Sequence, residues 1–177
     1  MPPFWQRPGG AMLAIDTNVV VRYLTGDHPD QSPRARTLVD GQPVFVPVTV
    51  ALEAEWVLRS AYGYGAAEVM RAMRAFGGLP TVMIEEAALV AEALDRAEAG
   101  MDFADALHLA KSAHCDGFAS FDRRFIKAAL AAGHATVRDV WDPSRPHRDR
   151  RAGHGRHAGS ESPEPRAAAA CERLRPL

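Results

Sequence analysis

The stretch MLAIDTNVVVRYLTGD, from Met12 to Asp27, joins a short apolar run to an apolar helix through a single acid. Residues 13–15 are typical of a buried strand, and Asp16-Thr17-Asn18 ends that strand with residue types that favour helix N-caps. Asp16 is therefore predicted to lie at the carboxyl end of a strand. Because ligands of open α/β sheets bind outside the carboxyl ends of the strands, this acid is a candidate for chemistry.

The composition bounds the kind of protein. The chain has 177 residues, of which 47% are hydrophobic, and this is enough for one domain with a substantial core. Its two cysteines, Cys115 and Cys171, give neither a metal-binding spacing nor a disulfide framework. No apolar run is long enough to span a bilayer and no signal peptide is recognisable, so we expect a cytoplasmic protein.

Charge is unevenly distributed along the chain. Eight Arg against four acids give residues 144–177 a net charge of +4, so the total of −1 leaves −5 for residues 1–143. If this acidic part handles nucleic acid, some of its acids must be neutralised, and a divalent cation would do so directly.

Short strand-like runs alternate with helices along the chain. The runs are at residues 13–15, 44–46, 81–84, 117–120 and 136–140. This alternation predicts an α/β fold with a parallel sheet covered by helices on both faces. We expect the domain to cover residues 12–142, after a disordered N-terminal extension at residues 1–11. A disordered Arg/Pro/His-rich tail at residues 143–177 either binds RNA weakly or is solvated without a partner.

Two acids directly follow predicted strands. Asp16 either caps the helix that follows it or binds a metal, with Asn18 offering a second oxygen nearby. Asp122, in the segment ASFDRRF, repeats the arrangement at the end of another strand, and the same two alternatives apply to it. The recurrence favours a function for both.

Glu53 and Glu55 lie on one predicted helix, where their neighbours distinguish them. Glu55 has Arg59 four residues later, and this spacing favours an ordinary exposed ion pair. Glu53 has Val50 and Val57 at helical spacing and no cation within reach, so burying its charge would need compensation from outside the helix. Glu53 is therefore the functional candidate of the two.

Asp102 and Asp105 open another predicted helix, in the segment GMDFADALHLA. Acids in a first turn complement the helix dipole, and Asp102 is placed to cap this helix. Asp105 has His108 and Leu109 at helical spacing and no local cation, so it is the stronger candidate for chemistry. Asp102 is better explained as a helix cap, and metal binding is the less favoured interpretation of this residue.

Convergence of the four uncompensated acids would demand a cation; they are Asp16, Glu53, Asp105 and Asp122. Two carboxylates about 4 Å apart repel each other by roughly 4 kcal/mol at an effective dielectric constant near 20. Ligands that are all oxygen suit Mg²⁺ or Mn²⁺ rather than zinc. Metal ions on such a cluster activate water for attack on a phosphodiester, which is nuclease chemistry.

Four segments resemble the acidic motifs of the PIN domain, specifically of VapC-type toxins from type II toxin–antitoxin systems. They occur in the family's order and spacing, and they are AIDTNVVVRYLTGD, VTVALEAEWVLRSAYG, DFADALHLA and ASFDRRF. The resemblance implies a three-layer α/β/α fold whose five-stranded parallel sheet has the order 3-2-1-4-5. It also implies an Mg²⁺- or Mn²⁺-dependent endoribonuclease that cleaves structured RNA such as tRNA or rRNA, forms a homodimer and is held inactive by a small VapB-type antitoxin.

Matched residue by residue, the resemblance assigns catalysis and metal binding to the four acids Asp16, Glu53, Asp105 and Asp122. Beside these acids it places Asn18, Asp102 and Ser120, the last standing where many members have Thr. Four arginines are candidates for phosphate contact, although each is equally well explained as a surface charge: Arg22, Arg59, Arg123 and Arg124.

Two other functions stay open at this point. A haloacid-dehalogenase-like phosphatase also places an Asp after its first strand, but its chemistry needs a second Asp two residues on, where this chain has Asn18. A catalytically silent module that binds RNA or a partner would keep the fold. Such a module, however, would have no need to hold mutually repelling carboxylates together.

Overall fold

Strands and helices alternate in residues 12–141, the part of the chain that the computed structural model describes. The strands of this part are β1 (Leu13–Ala14), β2 (Val44–Val46), β3 (Val82–Ile84), β4 (Phe118–Ser120) and β5 (Val137–Asp139). Its helices are α1 (Thr17–Thr25), α2 (Gln31–Gly41), α3 (Val48–Ser60), α4 (Ala66–Gly77), α5 (Ala87–Glu98), α6 (Phe103–Lys111) and α7 (Arg123–Ala131). The α/β class is thus confirmed. The predicted extension (residues 1–11) and tail (residues 143–177) lie outside the described residues.

Local side-chain chemistry sets where the helices begin and end. The Asp16 carboxylate accepts a hydrogen bond from the Val19 N–H at 2.9 Å and begins α1. Gly26 ends this helix at φ 65°, a left-handed conformation that glycine adopts without steric cost. Asp102 and Asp122 cap α6 and α7 in the same way as Asp16 caps α1. The three predicted caps are therefore confirmed.

The strands pair in parallel, but they form two sheets. One sheet has the order β1-β2-β3, with Val44 opposite both Leu13 and Val82. The other pairs β4 with β5, with Phe118 opposite Val137. The expectation of a single five-stranded sheet of order 3-2-1-4-5 is wrong, because β1 and β4 do not pair within residues 12–141.

The shortness of β1 explains the missing pairing. The strand has two residues, both exposed, and the N–H groups of Leu13 and Ile15 already donate to the carbonyls of Pro43 and Phe45 on the β2 side. Since backbone groups alternate between the two edges of a strand, only the groups of Ala14 face the other edge. One residue offers too few hydrogen bonds to hold a second ladder.

A single apolar core nevertheless joins the helices to both sheets. Ile15 after β1, Val44 of β2 and Val137 of β5 belong to one buried cluster. Phe103 is fully buried directly after Asp102, and burial of such a ring contributes about 1.5–3 kcal/mol. The ring thereby fixes the turn that carries two of the acids. Within residues 12–141, no helix has the length and apolar character needed to cross a membrane.

A hydrogen-bonded carboxylate lies just after the C-terminal end of α1. Asp27 accepts hydrogen bonds from Thr25 Oγ1 at 2.7 Å, Arg22 Nη1 at 2.6 Å and Tyr62 Oη at 2.8 Å. Desolvation acts to raise the pKa of Asp27, but the three donors outweigh it and lower this pKa to about 2. Asp27 thus ties α1 to the residues that follow α3.

We expect Asp27→Asn to lower the free energy of unfolding by about 1 kcal/mol at pH 7, because solvent screens part of the gain at this exposed position. The pKa is lower in the folded protein than the ordinary 3.8, so the stabilisation is present above pH 4. It is lost as the pH falls toward 2. Urea denaturation at pH 7 and at pH 3 measures both the loss and its decline.

The matched control is Asp30→Asn, because Asp30 is exposed and makes no capping hydrogen bond at the start of α2. This variant should unfold like the unaltered protein at both pH values. Equal stability of Asp27→Asn and the unaltered protein at pH 7 would show that the network around Asp27 does not stabilise the fold.

Candidate active site

Acids follow the carboxyl ends of β1 and β4, as the sequence predicted. Asp16 comes one residue after Ile15, and Asp122 comes two residues after Ser120, whose Oγ accepts a hydrogen bond from the Asp122 N–H at 2.9 Å. The Asp122 carboxylate accepts from the N–H groups of Arg124 at 2.7 Å and Phe125 at 3.2 Å. The Ser120 side chain and two backbone N–H groups therefore fix the position of Asp122 after β4.

Capping and metal binding are compatible at these positions, because each cap uses one carboxylate oxygen. Asp16, Asp102 and Asp122 all accept backbone hydrogen bonds through Oδ1. Among the described residues, Oδ2 of Asp16 and of Asp122 accepts no hydrogen bond, and Oδ2 of Asp102 only faces Arg59 Nη1 at 3.6 Å. The second oxygen of a cap is therefore available to a cation.

The first acid group consists of Asp16 and Glu53. Thr17 Oγ1 donates a hydrogen bond to Glu53 Oε2 at 2.5 Å and so ties Glu53 on α3 to the turn that carries Asp16. Glu53 is exposed, so its apolar helical neighbours do not bury it as the sequence had indicated. Asn18 is exposed beside this group. The hydrogen bond from Thr17 to Glu53 was not predicted, although Thr17 lies in the same Asp-Thr-Asn segment as Asp16.

The second acid group consists of Asp102, Asp105 and Asp122. Asp105 is half-buried and forms no ion pair within residues 12–141. Burial raises the pKa of Asp105, and the negative charges of Asp102 and Asp122 raise it further, while His108 opposes them. These three acids therefore lie close enough to repel one another.

A buried ion pair lies beside the second acid group. Glu55 is only 4% exposed, and its Oε1 lies 3.2 Å from Arg59 Nη1, so the predicted exposed ion pair forms but is buried on the Glu55 side. Burial raises the pKa of Glu55; Arg59 lowers it, and the charge of Asp102 adds to the rise. Helical spacing predicted that Arg59 is the partner of Glu55. It did not predict that Glu55 is buried, because burial depends on how α3 packs against its neighbours.

An open groove of about 580 Å³ is lined by one acid of each group. Glu53 of the first group and Asp102 of the second both line it, together with Glu55, Trp56 and Arg59. The volume lies within the usual range for small-molecule sites. A substrate in this groove would lie against acids of both groups.

The donor set suits a hard divalent cation, because every candidate ligand in both acid groups is a carboxylate. Within residues 12–141, however, no three side chains of His, Cys, Asp or Glu are arranged to hold one metal ion. The structure therefore brings neither the three acids of the second group nor acids of both groups to a common point within residues 12–141. Only Asp16 and Asp122 directly follow strands, and those strands, β1 and β4, do not pair with each other.

The four candidate arginines differ in what they contact. Arg22 donates to Asp27, Tyr62 and Gln31 at the end of α1 opposite Asp16, which favours its interpretation as a structural charge. Arg59 faces Glu55 and Asp102, as described above. Next to Asp122, Arg123 has 74% of its side chain exposed, with Nε 3.9 Å from Asp139 Oδ2, and Arg124 is exposed as well.

Comparison with known families decides the family of this chain. The family model of the PIN domain matches residues 13–130, which is more than half of the chain and includes both acid groups. The chain belongs to the PIN-domain family. PIN domains are nucleases that generally use divalent metal ions. The resemblance to the PIN domain is thereby confirmed. No curated protein sequence matches the chain.

Among solved structures, this PIN domain is similar to that of VapC20 from Mycobacterium tuberculosis, a toxin that cleaves the sarcin-ricin loop. The two chains are 20% identical, and the similarity covers 72% of this chain and 99% of that chain with a TM-score of 0.32. Membership of the family is established by the family model.

In metal-free protein, we expect Asp102→Asn and Asp122→Asn each to lower the pKa of Asp105, because each removes one of the negative charges that raise it. Asn caps helices about as well as Asp, so the substitution removes charge without removing the cap. NMR titration of the carboxyl carbons in the presence of EDTA measures the shift. The control is Asp116→Asn before β4, and an unchanged pKa in both test variants would contradict the second acid group.

Proposed function

We propose that this PIN domain is an Mg²⁺- or Mn²⁺-dependent endoribonuclease that hydrolyses phosphodiester bonds in structured RNA such as tRNA or rRNA. The observation that carries this proposal is the accumulation of unneutralised carboxylates at the carboxyl ends of β1 and β4, in a chain of a nuclease family. Such an accumulation costs stability unless a cation offsets it. Helix capping accounts for one oxygen each of Asp16, Asp102 and Asp122, but it accounts for neither Glu53 nor the half-buried Asp105.

The residues proposed to hold the metal and support catalysis are Asp16, Glu53, Asp105 and Asp122, with Asp102 as a further ligand. A bound ion would lower the pKa of a water for in-line attack and stabilise the leaving oxygen. Backbone donors orient Asp16 and Asp122 through Oδ1, so Oδ2 of each would be the oxygen available to hold an ion. Thr17 holds Glu53 in place through its 2.5 Å hydrogen bond.

Groups beside the acids can hold the substrate. Ser120 Oγ accepts from the Asp122 N–H, so its own hydroxyl proton stays available for a phosphate oxygen or a water. Arg123 and Arg124 are exposed next to Asp122 and are placed to neutralise a phosphate of the RNA. Asn18 can supply an amide oxygen beside the first acid group.

The four motifs also support a biological role. We propose a VapC-type toxin of a type II toxin–antitoxin system, acting in the cytoplasm as a homodimer and neutralised by a VapB-type antitoxin. An Arg of the antitoxin inserted among the acids would compete with the metal, because a guanidinium forms charge-assisted hydrogen bonds with carboxylates. Unchanged metal affinity in the purified complex would contradict this mode of inhibition.

Cleavage of total cellular RNA by the purified protein tests the catalytic proposal. Discrete fragments should form with Mg²⁺ or Mn²⁺ and disappear with EDTA. We expect Asp16→Asn, Glu53→Gln, Asp105→Asn and Asp122→Asn each to slow cleavage by about 100-fold or more. Loss of a direct ligand should cost more than the about 10- to 100-fold lost with residues that only orient ligands.

The matched control is Glu68→Gln, because Glu68 is an exposed acid in the first turn of α4 and belongs to neither acid group. This variant should cleave like the unaltered protein. Cleavage that persists in EDTA, or in all four acid variants, would contradict the metal-dependent mechanism. Absence of cleavage by folded, antitoxin-free protein across a panel of RNAs would favour the catalytically silent module.

A further inference from the structure

Two large aromatic rings are exposed side by side on this domain. Phe121 is 59% exposed and Trp141 is 72% exposed, and their ring centroids lie 5.2 Å apart with an angle of 65° between the planes. The two rings contact each other edge to face, but they do not enter the core. Their exposure is therefore not explained by packing of the fold, and neither ring takes part in the carboxylate chemistry proposed above.

The position of the rings relates them to the second acid group. Phe121 stands between Ser120 and Asp122, and Trp141 lies two residues after the end of β5, the partner strand of β4. The Val140 N–H donates to the Ser120 carbonyl at 3.1 Å, and the Trp141 N–H donates to Asp139 Oδ1 at 2.9 Å. These hydrogen bonds thus hold Phe121 and Trp141 near the carboxyl ends of β4 and β5, where Asp122 also lies.

Exposed cations lie close to this aromatic pair in the sequence. Arg123 and Arg124 follow Phe121 within three residues, and Arg138 is exposed on β5. Aromatic rings beside exposed arginines are the combination by which proteins bind single-stranded nucleic acid, since bases stack on the rings while phosphates meet the cations. An uncharged apolar partner would use the rings but would not require the cations.

We propose that Phe121 and Trp141 form a stacking site for one unpaired nucleobase of the RNA, which positions a neighbouring phosphodiester at Asp122. The proposal deepens the proposed ribonuclease function and rests on it for the identity of the ligand. Bases inside a duplex are already stacked and present no free face to a side chain, whereas bases in loops, bulges and ends do. The aromatic pair therefore selects unpaired nucleotides within a structured RNA.

Equilibrium binding in EDTA tests the stacking site without requiring cleavage. The probe is a fluorescein-labelled oligouridylate of about 12 nucleotides, a length within the range that one binding domain covers, alone and annealed to oligoadenylate. Fluorescence anisotropy should show that Trp141→Ala and Phe121→Ala each weaken single-strand binding about 10- to 100-fold. The salt dependence of binding should stay unchanged, because neither substitution removes a charge.

Trp141→Phe keeps an aromatic face and should retain most of the affinity. The matched control is Tyr64→Ala, because Tyr64 is also a partly exposed ring in an aromatic pair, with Tyr62, but lies in the loop after α3. This variant should bind like the unaltered protein. A second measurement avoids alanine variants: oligouridylate should quench tryptophan fluorescence in the unaltered protein, and the quenching should be clearly smaller in Trp141→Phe, in which Trp56 of the groove remains.

The outcomes separate this proposal from the catalytic one. Ring variants that bind the single strand like the unaltered protein, or unaltered protein that binds the duplex equally well, would overturn the stacking site and assign the rings to contact with another protein. Ring-dependent binding without RNA cleavage would contradict the nuclease alone. Cleavage and binding that are both independent of the rings would contradict the stacking site alone.

Discussion

Repulsion between carboxylates that share one region of the domain is the constraint on which the rest of this structure depends. Burial raises the pKa of Asp105, and the negative charges of Asp102 and Asp122 add to that rise. Helix N-termini offset part of the cost, because Asp16, Asp102 and Asp122 each accept backbone hydrogen bonds from a first helical turn. The second carboxylate oxygen of Asp16 and of Asp122 accepts no hydrogen bond from residues 12–141, and we propose that a cation binds there.

Features that depend on near neighbours in the chain could be predicted from the sequence. Apolar runs followed by Asp predicted β1, β4 and the helices after them, because strands and caps are set by adjacent residues. The predicted pairing of β1 with β4 was wrong, and so was the predicted exposure of Glu55. Both depend on tertiary packing: the first needs backbone groups that a two-residue strand does not have, and the second needs the position of α3 against its neighbours.

The candidate site likewise contains residues that the sequence predicted and contacts that it did not. Asp105 could be selected because no local cation pairs with it, and Asp122 because it repeats the position of Asp16 after a strand. The structure places these two acids within electrostatic range of each other. The hydrogen bond from Thr17 to Glu53 spans 36 residues, and the contact between Phe121 and Trp141 joins two strand ends. Neither contact has a periodic signal in the sequence. The aromatic pair nevertheless follows from the parallel pairing of β4 and β5, which sets both rings at one edge.

The proposed function requires that acids of both groups take part in binding divalent metal. Titration with Mn²⁺ followed by electron paramagnetic resonance measures this directly, since the free ion gives a signal that diminishes on binding. The account predicts that Asp16→Asn in the first acid group and Asp105→Asn in the second each weaken Mn²⁺ binding at least about tenfold. Affinity that is unchanged by either one of these substitutions would show that a single acid group holds the ion, and would contradict the account.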